Sequence, residues 1–145
     1  MASVKVLIEG YTSGETNGHT CSTITLICDK DEKGNQLNIV VDPGTLPDQE
    51  LLVKALKKEN LNVDDINMVC ITHQHLDHIR NIGMFKKAKT LFNDGIMTGD
   101  FWEPLPSNGQ ISKDIKVLKT AGHSDDSLTL LVNTRINNKP AVIAV

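Results

Sequence analysis

The sequence predicts a layered α/β fold, and three observations carry this prediction. Candidate strands and helices alternate along the chain and are joined by short connections. The run INMVCIT (66–72) is continuously apolar, which is typical of a strand buried on both faces. Since 145 residues suit one domain with its own hydrophobic core, we expect residues 1–145 to form a single domain.

The N-terminal part predicts a strand followed by a β-hairpin. Residues 4–8 (VKVLI) and 22–28 (STITLIC) have the β-rich pattern of strands with one buried face. The polar turn at 29–36 contains a glycine and should return the chain into an apolar run that ends at Asp42. An antiparallel pair is therefore expected before the first helix.

Residues 45–60 predict an amphipathic helix. Thr45 is the expected N-cap residue, with Asp48 three residues later and Pro47 in the first turn. Four apolar residues share one face at helical spacing: Leu51, Leu52, Ala55 and Leu56. We expect this face to pack against a sheet.

Beyond the buried strand of 66–72, the remaining sequence is richer in strands than in helices. Residues 79–88 predict a short helix that follows the histidines. Apolar stretches at 115–118, 127–132 and 141–145 predict further strands. The last part of the chain should therefore add strands rather than helices to the fold.

Composition and charge argue against several classes of protein. The formal net charge of −3 and the sequence pI near 5.9 give no bulk attraction to nucleic acid or to an anionic membrane. The basic run at 85–89 (FKKAK) is expected to be a solvated face. No apolar stretch approaches the ~18 residues of a membrane span, and the N-terminus has too short an apolar core for a signal peptide. Three cysteines do not suggest a disulfide framework, so we expect a cytoplasmic protein.

Residues 72–78 (THQHLDH) hold three of the five histidines of the chain together with Asp77. Because about 100° separates successive residues of a helix, His73, His75 and His78 would not converge from one helical face. A tight loop after a buried strand would instead point His73 and His75 one way, and Asp77 with His78 to an adjacent position. Such imidazole and carboxylate donors suit a pair of zinc, iron or manganese ions. The alternative is an exposed loop that holds no metal.

His123 is a candidate for a further metal ligand. It follows the strand-like stretch IKVLKT (115–120) and a glycine. It therefore lies at the carboxyl end of a strand, where functional residues gather in α/β folds. A lone histidine there is more often a surface residue, so its assignment depends on the motif in which it occurs.

Three segments, in order, resemble the motifs of the metallo-β-lactamase superfamily. The stretch THQHLDH (72–78) matches the His-x-His-x-Asp-His motif of the family without a break. VVDPG (40–44) resembles the aspartate-bearing strand end that precedes it, and TAGHSDDSLTLLV (120–132) resembles the segment of the third ligand. The resemblance covers residues 4–145 and is closest to small stand-alone members. It implies an αββα sandwich whose metals lie at one edge of the two sheets.

The resemblance also implies a role for each motif residue. Five residues would bind metal: His73, His75 and His123 at a first position, Asp77 and His78 at a second. Asp42 would accept a hydrogen bond that orients the loop. The implied protein is a hydrolase of small molecules or phosphodiesters, in which a metal-bound hydroxide attacks an ester, thioester, lactam or phosphodiester bond. Asp77 would orient the water or take its proton. One or two zinc ions would be the cofactor, with iron or manganese as alternatives.

The chain departs from the family pattern after Val145. Family members continue into a Gly-Asp strand end, whose carboxylate bridges the two metals, and later supply one more histidine. We therefore expect a truncated domain with an incomplete second half and two ligands fewer at the second metal; His19 is not a convincing replacement. Two functions stay open, an active hydrolase and a catalytically weak or inactive fragment that needs another chain or its missing C-terminal part. An unpaired sheet edge would favour a homo-oligomer.

Overall fold

Residues 1–145 fold, in the computed structural model, into two β-sheets that pack face to face. The larger sheet has seven strands in chain order: β1 (Ser3–Ile8), β2 (Ile24–Lys30), β3 (Gln36–Val41), β4 (Met68–Cys70), β5 (Lys89–Phe92), β6 (Gly95–Thr98) and β7 (Phe101–Pro104). The smaller sheet has three strands, with the second in the middle: β8 (Ile115–Lys119), β9 (Leu128–Ile136) and β10 (Lys139–Ala144). The predicted α/β class with two layered sheets is confirmed.

Two α-helices complete the fold. Helix α1 (Glu50–Lys58) connects β3 to β4, and α2 (Leu76–Ile79) is a single turn within the histidine segment. Because α1 carries the chain back along the sheet, β3 and β4 pair in parallel. The crossover of residues 71–88 likewise makes β4 and β5 parallel, whereas the other neighbours are antiparallel. Neither helix has the length and apolar character that crossing a lipid bilayer requires.

The hydrophobic core has two parts, one on each face of the larger sheet. Between the sheets, Ile39 of β3 packs in one cluster with Leu130 of β9. On the opposite face, Val69 of β4 packs in a second cluster with Leu52 and Leu56 of α1. Strands β3 and β4 bury side chains on both faces, which explains the uninterrupted apolar runs at 39–41 and 68–70.

The helix predicted over 45–60 is shorter than expected. It begins at Glu50, so the prediction of Thr45 as its N-cap residue is wrong. Pro47 disfavours a start at Thr45, because the residue before a proline, Leu46, is sterically kept out of the helical conformation. Asp48 still acts at the first turn, where its Oδ1 accepts a hydrogen bond from the main-chain N–H of Glu50 at 2.9 Å.

The prediction of a helix over 79–88 is also wrong. This stretch contains only the end of α2 and a 3-10 turn at 82–84, followed by irregular chain. Asn81 accounts for the break, because its main-chain N–H donates to the carbonyl oxygen of Gly44 at 3.1 Å and its side-chain amide donates to that of Pro43 at 3.2 Å. These tertiary bonds hold the chain in a path that a continuous helix would not follow.

Strand β10 lies at the edge of the smaller sheet, and no helix covers the outer face of that sheet. Val142 projects from this face and is 61% exposed. An edge strand with exposed apolar side chains pairs readily with another chain. We therefore expect concentration-dependent self-association, which light scattering over a dilution series would measure.

Replacing Val142 with lysine should shift the chain toward monomer, because a charge on an edge strand opposes further pairing. Leu51→Lys is a matched control, since Leu51 is also an exposed apolar residue but lies on helix α1 rather than on a strand. A monodisperse wild-type monomer at high concentration would contradict the prediction, and so would equal association of the two variants.

Candidate metal centre

The histidine segments meet at one edge of the two sheets. Strand β4 leads into the segment 72–78, and β8 leads into the loop that carries His123. The main-chain N–H of Leu128, at the start of β9, donates to the carbonyl oxygen of Thr72 at 2.7 Å and joins the two segments. Residues far apart in the sequence are therefore held side by side, as the carboxyl ends of strands allow.

Three imidazole nitrogens converge at this edge. The Nδ1 atom of His75 lies 3.1 Å from Nε2 of His73 and 3.1 Å from Nε2 of His123. The donor atoms of the three rings all lie within 4.8 Å of one another. A tetrahedral ion with metal–nitrogen distances of about 2.0–2.1 Å holds its donors about 3.3 Å apart. The two distances from His75 Nδ1 are therefore close to those around one divalent metal ion.

The two short contacts of His75 also favour a cation over hydrogen bonds alone. In a neutral imidazole, Nδ1 either donates one proton or accepts with one lone pair. It therefore does not form good hydrogen bonds with both neighbouring nitrogens, whereas all three lone pairs are satisfied by one shared cation. The structure thus brings together His73, His75 and His123, which the family resemblance assigned to one ion; their role as ligands stays a prediction.

The environment of His73 favours the neutral form that a metal ligand requires. Burial of the ring lowers the pKa of His73 below its ordinary value, and the nearby rings of His78 and His75 lower it further. The charge of Asp42 opposes this change without cancelling it. Because protons compete with metal ions for the same nitrogen, a lowered pKa assists binding at neutral pH.

Asp42 follows β3 and forms hydrogen bonds with the histidine segment 72–78. Its buried carboxylate accepts hydrogen bonds from the main-chain N–H of Thr72 at 2.8 Å, from the Thr72 hydroxyl at 2.7 Å and from Nδ1 of His78 at 2.8 Å. Its main chain is left-handed, with φ 49°. Such a φ is uncommon outside glycine, although aspartate tolerates it better than most residues. One carboxylate thus contacts both the chain before the histidines and the ring of His78.

Thr72 was missed as a site residue, although it is the first letter of the motif segment. Because a carboxylate only accepts, the Thr72 hydroxyl must donate its proton to Asp42. Its lone pairs then accept from Nδ1 of His73, which lies 3.1 Å away. This assigns the His73 proton to Nδ1 and leaves a lone pair on Nε2, which faces the other imidazoles. The sequence alone does not reveal this role, because it depends on the positions of the Thr72, Asp42 and His73 side chains.

Replacing Thr72 with valine should weaken metal binding about 10-fold, because the methyl group fills the space but no longer fixes the His73 ring. Thr72→Ser should restore most of the affinity, since it returns the hydroxyl. Competition with a chromophoric chelator would measure both variants. Equal affinities of wild type and the valine variant would show that the hydroxyl is not needed.

Asp77 and His78 form a separate pair beside the three imidazoles. Oδ2 of Asp77 lies 4.0 Å from Nε2 of His78 and accepts a hydrogen bond from the hydroxyl of Thr20 at 3.2 Å. No third histidine, cysteine or acidic donor lies close enough to complete a set with them. The structure places Asp77 and His78 side by side, and their role as ligands of a second metal ion stays a prediction.

The His78 ring differs from His73 in its response to protons. Burial lowers the pKa of His78, but the hydrogen bond and the charge of Asp42 raise it by more, so that the pKa lies above its ordinary value. The charge of Asp77 acts in the same direction. A metal ion bound by Asp77 and His78 would therefore compete more strongly with protonation of its histidine than an ion bound by His73 would.

His19 does not join either group. It lies exposed in the loop between β1 and β2, where its carbonyl oxygen accepts a hydrogen bond from the Thr16 hydroxyl. The metal-ligand set of the structure contains His73, His75 and His123 without it. The structure therefore brings His19 into neither group, and its lack of a ligand role stays a prediction.

Comparisons with known proteins agree with the motifs. The sequence profile of the metallo-beta-lactamase superfamily matches residues 22–91, which include Asp42 and the whole of the segment 72–78. Metallo-beta-lactamase domain-containing protein 1 of Xenopus laevis is 28% identical over 139 residues, which cover 90% of this chain and 57% of that protein. The profile match and the relative together support similarity of this chain to the metallo-β-lactamase superfamily. The resemblance inferred from three motifs is therefore confirmed.

One further curated protein is similar in sequence, and one solved structure is similar in fold. A Methanocaldococcus jannaschii protein named as a probable metallo-hydrolase is 32% identical over 100 residues, which cover 64% of this chain and 45% of that protein. A Thermotoga maritima crystal structure, assigned as a metallo-beta-lactamase, aligns with a TM-score of 0.72 and 22% identity over 98% of this chain and 77% of that chain. The chain thus spans about half the length of these curated relatives and shares its fold with the solved structure.

Proposed function

We propose that this chain is a metal-dependent hydrolase that binds a zinc ion through His73, His75 and His123. The observation that carries the proposal is the position of His75 Nδ1, 3.1 Å from a nitrogen of each of the other two rings. Three neutral imidazoles favour zinc over magnesium or calcium, while iron and manganese remain alternatives. A three-histidine set leaves one coordination position open for water or substrate, which suits a catalytic rather than a structural site.

A zinc ion at this place would supply Lewis acidity and lower the pKa of bound water. Asp77 would take the proton of the attacking water, because its carboxylate lies beside the imidazoles and is held by the Thr20 hydroxyl. Asp42 and Thr72 would keep the ligand rings oriented. His75 and His123 are exposed, so a small-molecule or phosphodiester substrate would reach the site directly.

The chemistry of the three cysteines supports a reducing compartment such as the cytoplasm for this activity. All three thiols are free, and Cys21 and Cys70 are buried. Burial raises the pKa of both thiols, so they act as small apolar groups rather than as nucleophiles. The proposed reaction therefore depends on the histidine and aspartate side chains.

A substrate panel tests the proposed function. The metal-stripped chain would be assayed against an ester, a thioester, a lactam and a phosphodiester, before and after addition of zinc. We expect hydrolysis of at least one substrate that appears with zinc and is absent from His123→Ala, which lacks one of the three imidazoles. His19→Ala is the matched control, because His19 is exposed and lies outside the metal-ligand set.

A metal-binding chain without turnover is the second candidate function. It is favoured by the pair Asp77 and His78, which offers only two donors to a second ion. In this case the chain would need another chain or a further C-terminal segment for catalysis. The same panel separates the two, because this candidate retains zinc but hydrolyses none of the four substrates.

A further inference from the structure

The loop that carries His123 is closed mainly by its own hydrogen bonds. The N–H of Thr120 donates to the carbonyl oxygen of Ser127 at 2.9 Å, and the hydroxyls of Ser124 and Ser127 lie 2.8 Å apart. The N–H of Gly122 donates to the carbonyl oxygen of Ser124 at 3.2 Å. These bonds define the shape of the loop, but they do not fix its position relative to the other two histidines.

Asp126 connects the His123 loop to the histidine segment 72–78. Its Oδ2 accepts a hydrogen bond from the main-chain N–H of Gln74 at 3.1 Å. Gln74 lies between His73 and His75, so the carboxylate is attached to the peptide that separates these two rings. Apart from the contact between His123 and His75, this is the one side-chain hydrogen bond between the loop and the histidine segment.

The main-chain bond between Leu128 and Thr72 provides a second point of attachment nearby. Two attachments at different points hold the loop more firmly than one, because a single bond leaves it free to pivot. A bond from an ionised carboxylate to an N–H is also stronger than one between neutral groups. Asp126 therefore restricts the remaining freedom of the loop at the end nearer to His123.

We propose that Asp126 is a positioning residue for the metal centre, whose carboxylate holds the His123 loop against Gln74. It thereby sets the distance of His123 Nε2 from the nitrogens of His73 and His75. This inference rests on the proposed function, because it assumes that the three imidazoles share an ion. Its physical basis is that metal–ligand distances tolerate only about 0.2 Å of error, whereas an unattached loop moves by more than that.

Metal binding by Asp126 variants tests the role of this residue. Asp126→Ala should weaken the affinity for zinc about 10-fold to 100-fold, as the loss of groups that orient ligands usually does. Asp126→Asn should recover much of it, because the amide oxygen still accepts from Gln74. Asp125→Ala is the matched control, since Asp125 is an exposed neighbour, and it should change the affinity by less than about 3-fold.

Two readouts separate positioning from general stability. Competition with a chromophoric chelator measures affinity, and the visible spectrum of the Co²⁺-substituted chain reports coordination geometry. We expect Asp126→Ala to lower and shift the Co²⁺ absorption, with the asparagine variant close to wild type. Asp126→Ser, which is too short to reach Gln74, provides a second truncation if the alanine variant does not fold.

Wild-type affinity and an unchanged Co²⁺ spectrum in a folded truncation variant would overturn the role of Asp126. Equal losses in Asp126→Ala and in the Asp125→Ala control would also overturn it. A wild-type chain that binds neither Zn²⁺ nor Co²⁺ would instead overturn the metal centre itself. The failure of this inference is thereby distinguishable from the failure of the proposed function.

Discussion

Replacing His123 with alanine should release the metal ion, whereas replacing His78 with alanine should leave it largely in place. His123 provides one of three converging imidazole nitrogens. His78 belongs to a pair with Asp77, and its Nδ1–H donates a hydrogen bond to the Asp42 carboxylate. Removal of one donor from a set of three leaves too few protein ligands for tight binding of a zinc-like ion. Elemental analysis of each variant, after dialysis against metal-free buffer, would measure the difference.

His19→Ala serves as the control for this pair of variants, because it also removes an exposed imidazole but lies outside both groups. Its metal content should equal that of wild type. Loss of metal from the His78 variant together with retention in the His123 variant would reverse the assignment of ligands to the two positions.

Replacing Asp77 with asparagine should reduce the hydrolytic rate about 100-fold or more while leaving the fold intact. Asparagine keeps the shape of the side chain and accepts the hydrogen bond from Thr20, but it has neither the charge nor the proton affinity of a carboxylate. Loss of a general base typically costs two to four orders of magnitude in rate. Steady-state kinetics on the best substrate of the panel would measure the effect.

Metal content and fold must be measured on the same Asp77→Asn sample. Both should match wild type, because Asp77 lies outside the set of three imidazoles. Asp125→Asn is the matched control, since it removes an exposed carboxylate from the loop of His123 and should not alter the rate. Unchanged turnover in the Asp77 variant would remove this residue from the reaction.

The parts of the fold that bury apolar side chains could be predicted from the sequence. Strands β2 to β4 and the core face of α1 follow from apolar runs and helical spacing, because burial determines both the pattern and the structure. Strands β5, β6 and β7 were not predicted. Each has only four residues, and the turn between β5 and β6 depends on Asn93, which adopts a left-handed φ of 49°.

Some residues of the candidate site could likewise be predicted from the sequence, and others could not. The histidines and Asp77 could be singled out because their residue types and spacing are unusual for a chain of this composition. Thr72 and Asp126 could not, because serine, threonine and acidic residues are common in loops and only geometry distinguishes those that orient a ligand. Their roles depend on contacts that cross between segments, such as the bond from Gln74 to Asp126.

The central claim is that His73, His75 and His123 hold one ion in preference to the pair Asp77 and His78. Titration of the metal-free chain with zinc, followed by gel filtration and elemental analysis, tests it most directly. We predict that about one ion per chain is retained at limiting zinc and that a second is taken up only in excess. Retention of no zinc, or uptake of two ions with equal affinity, would contradict this account.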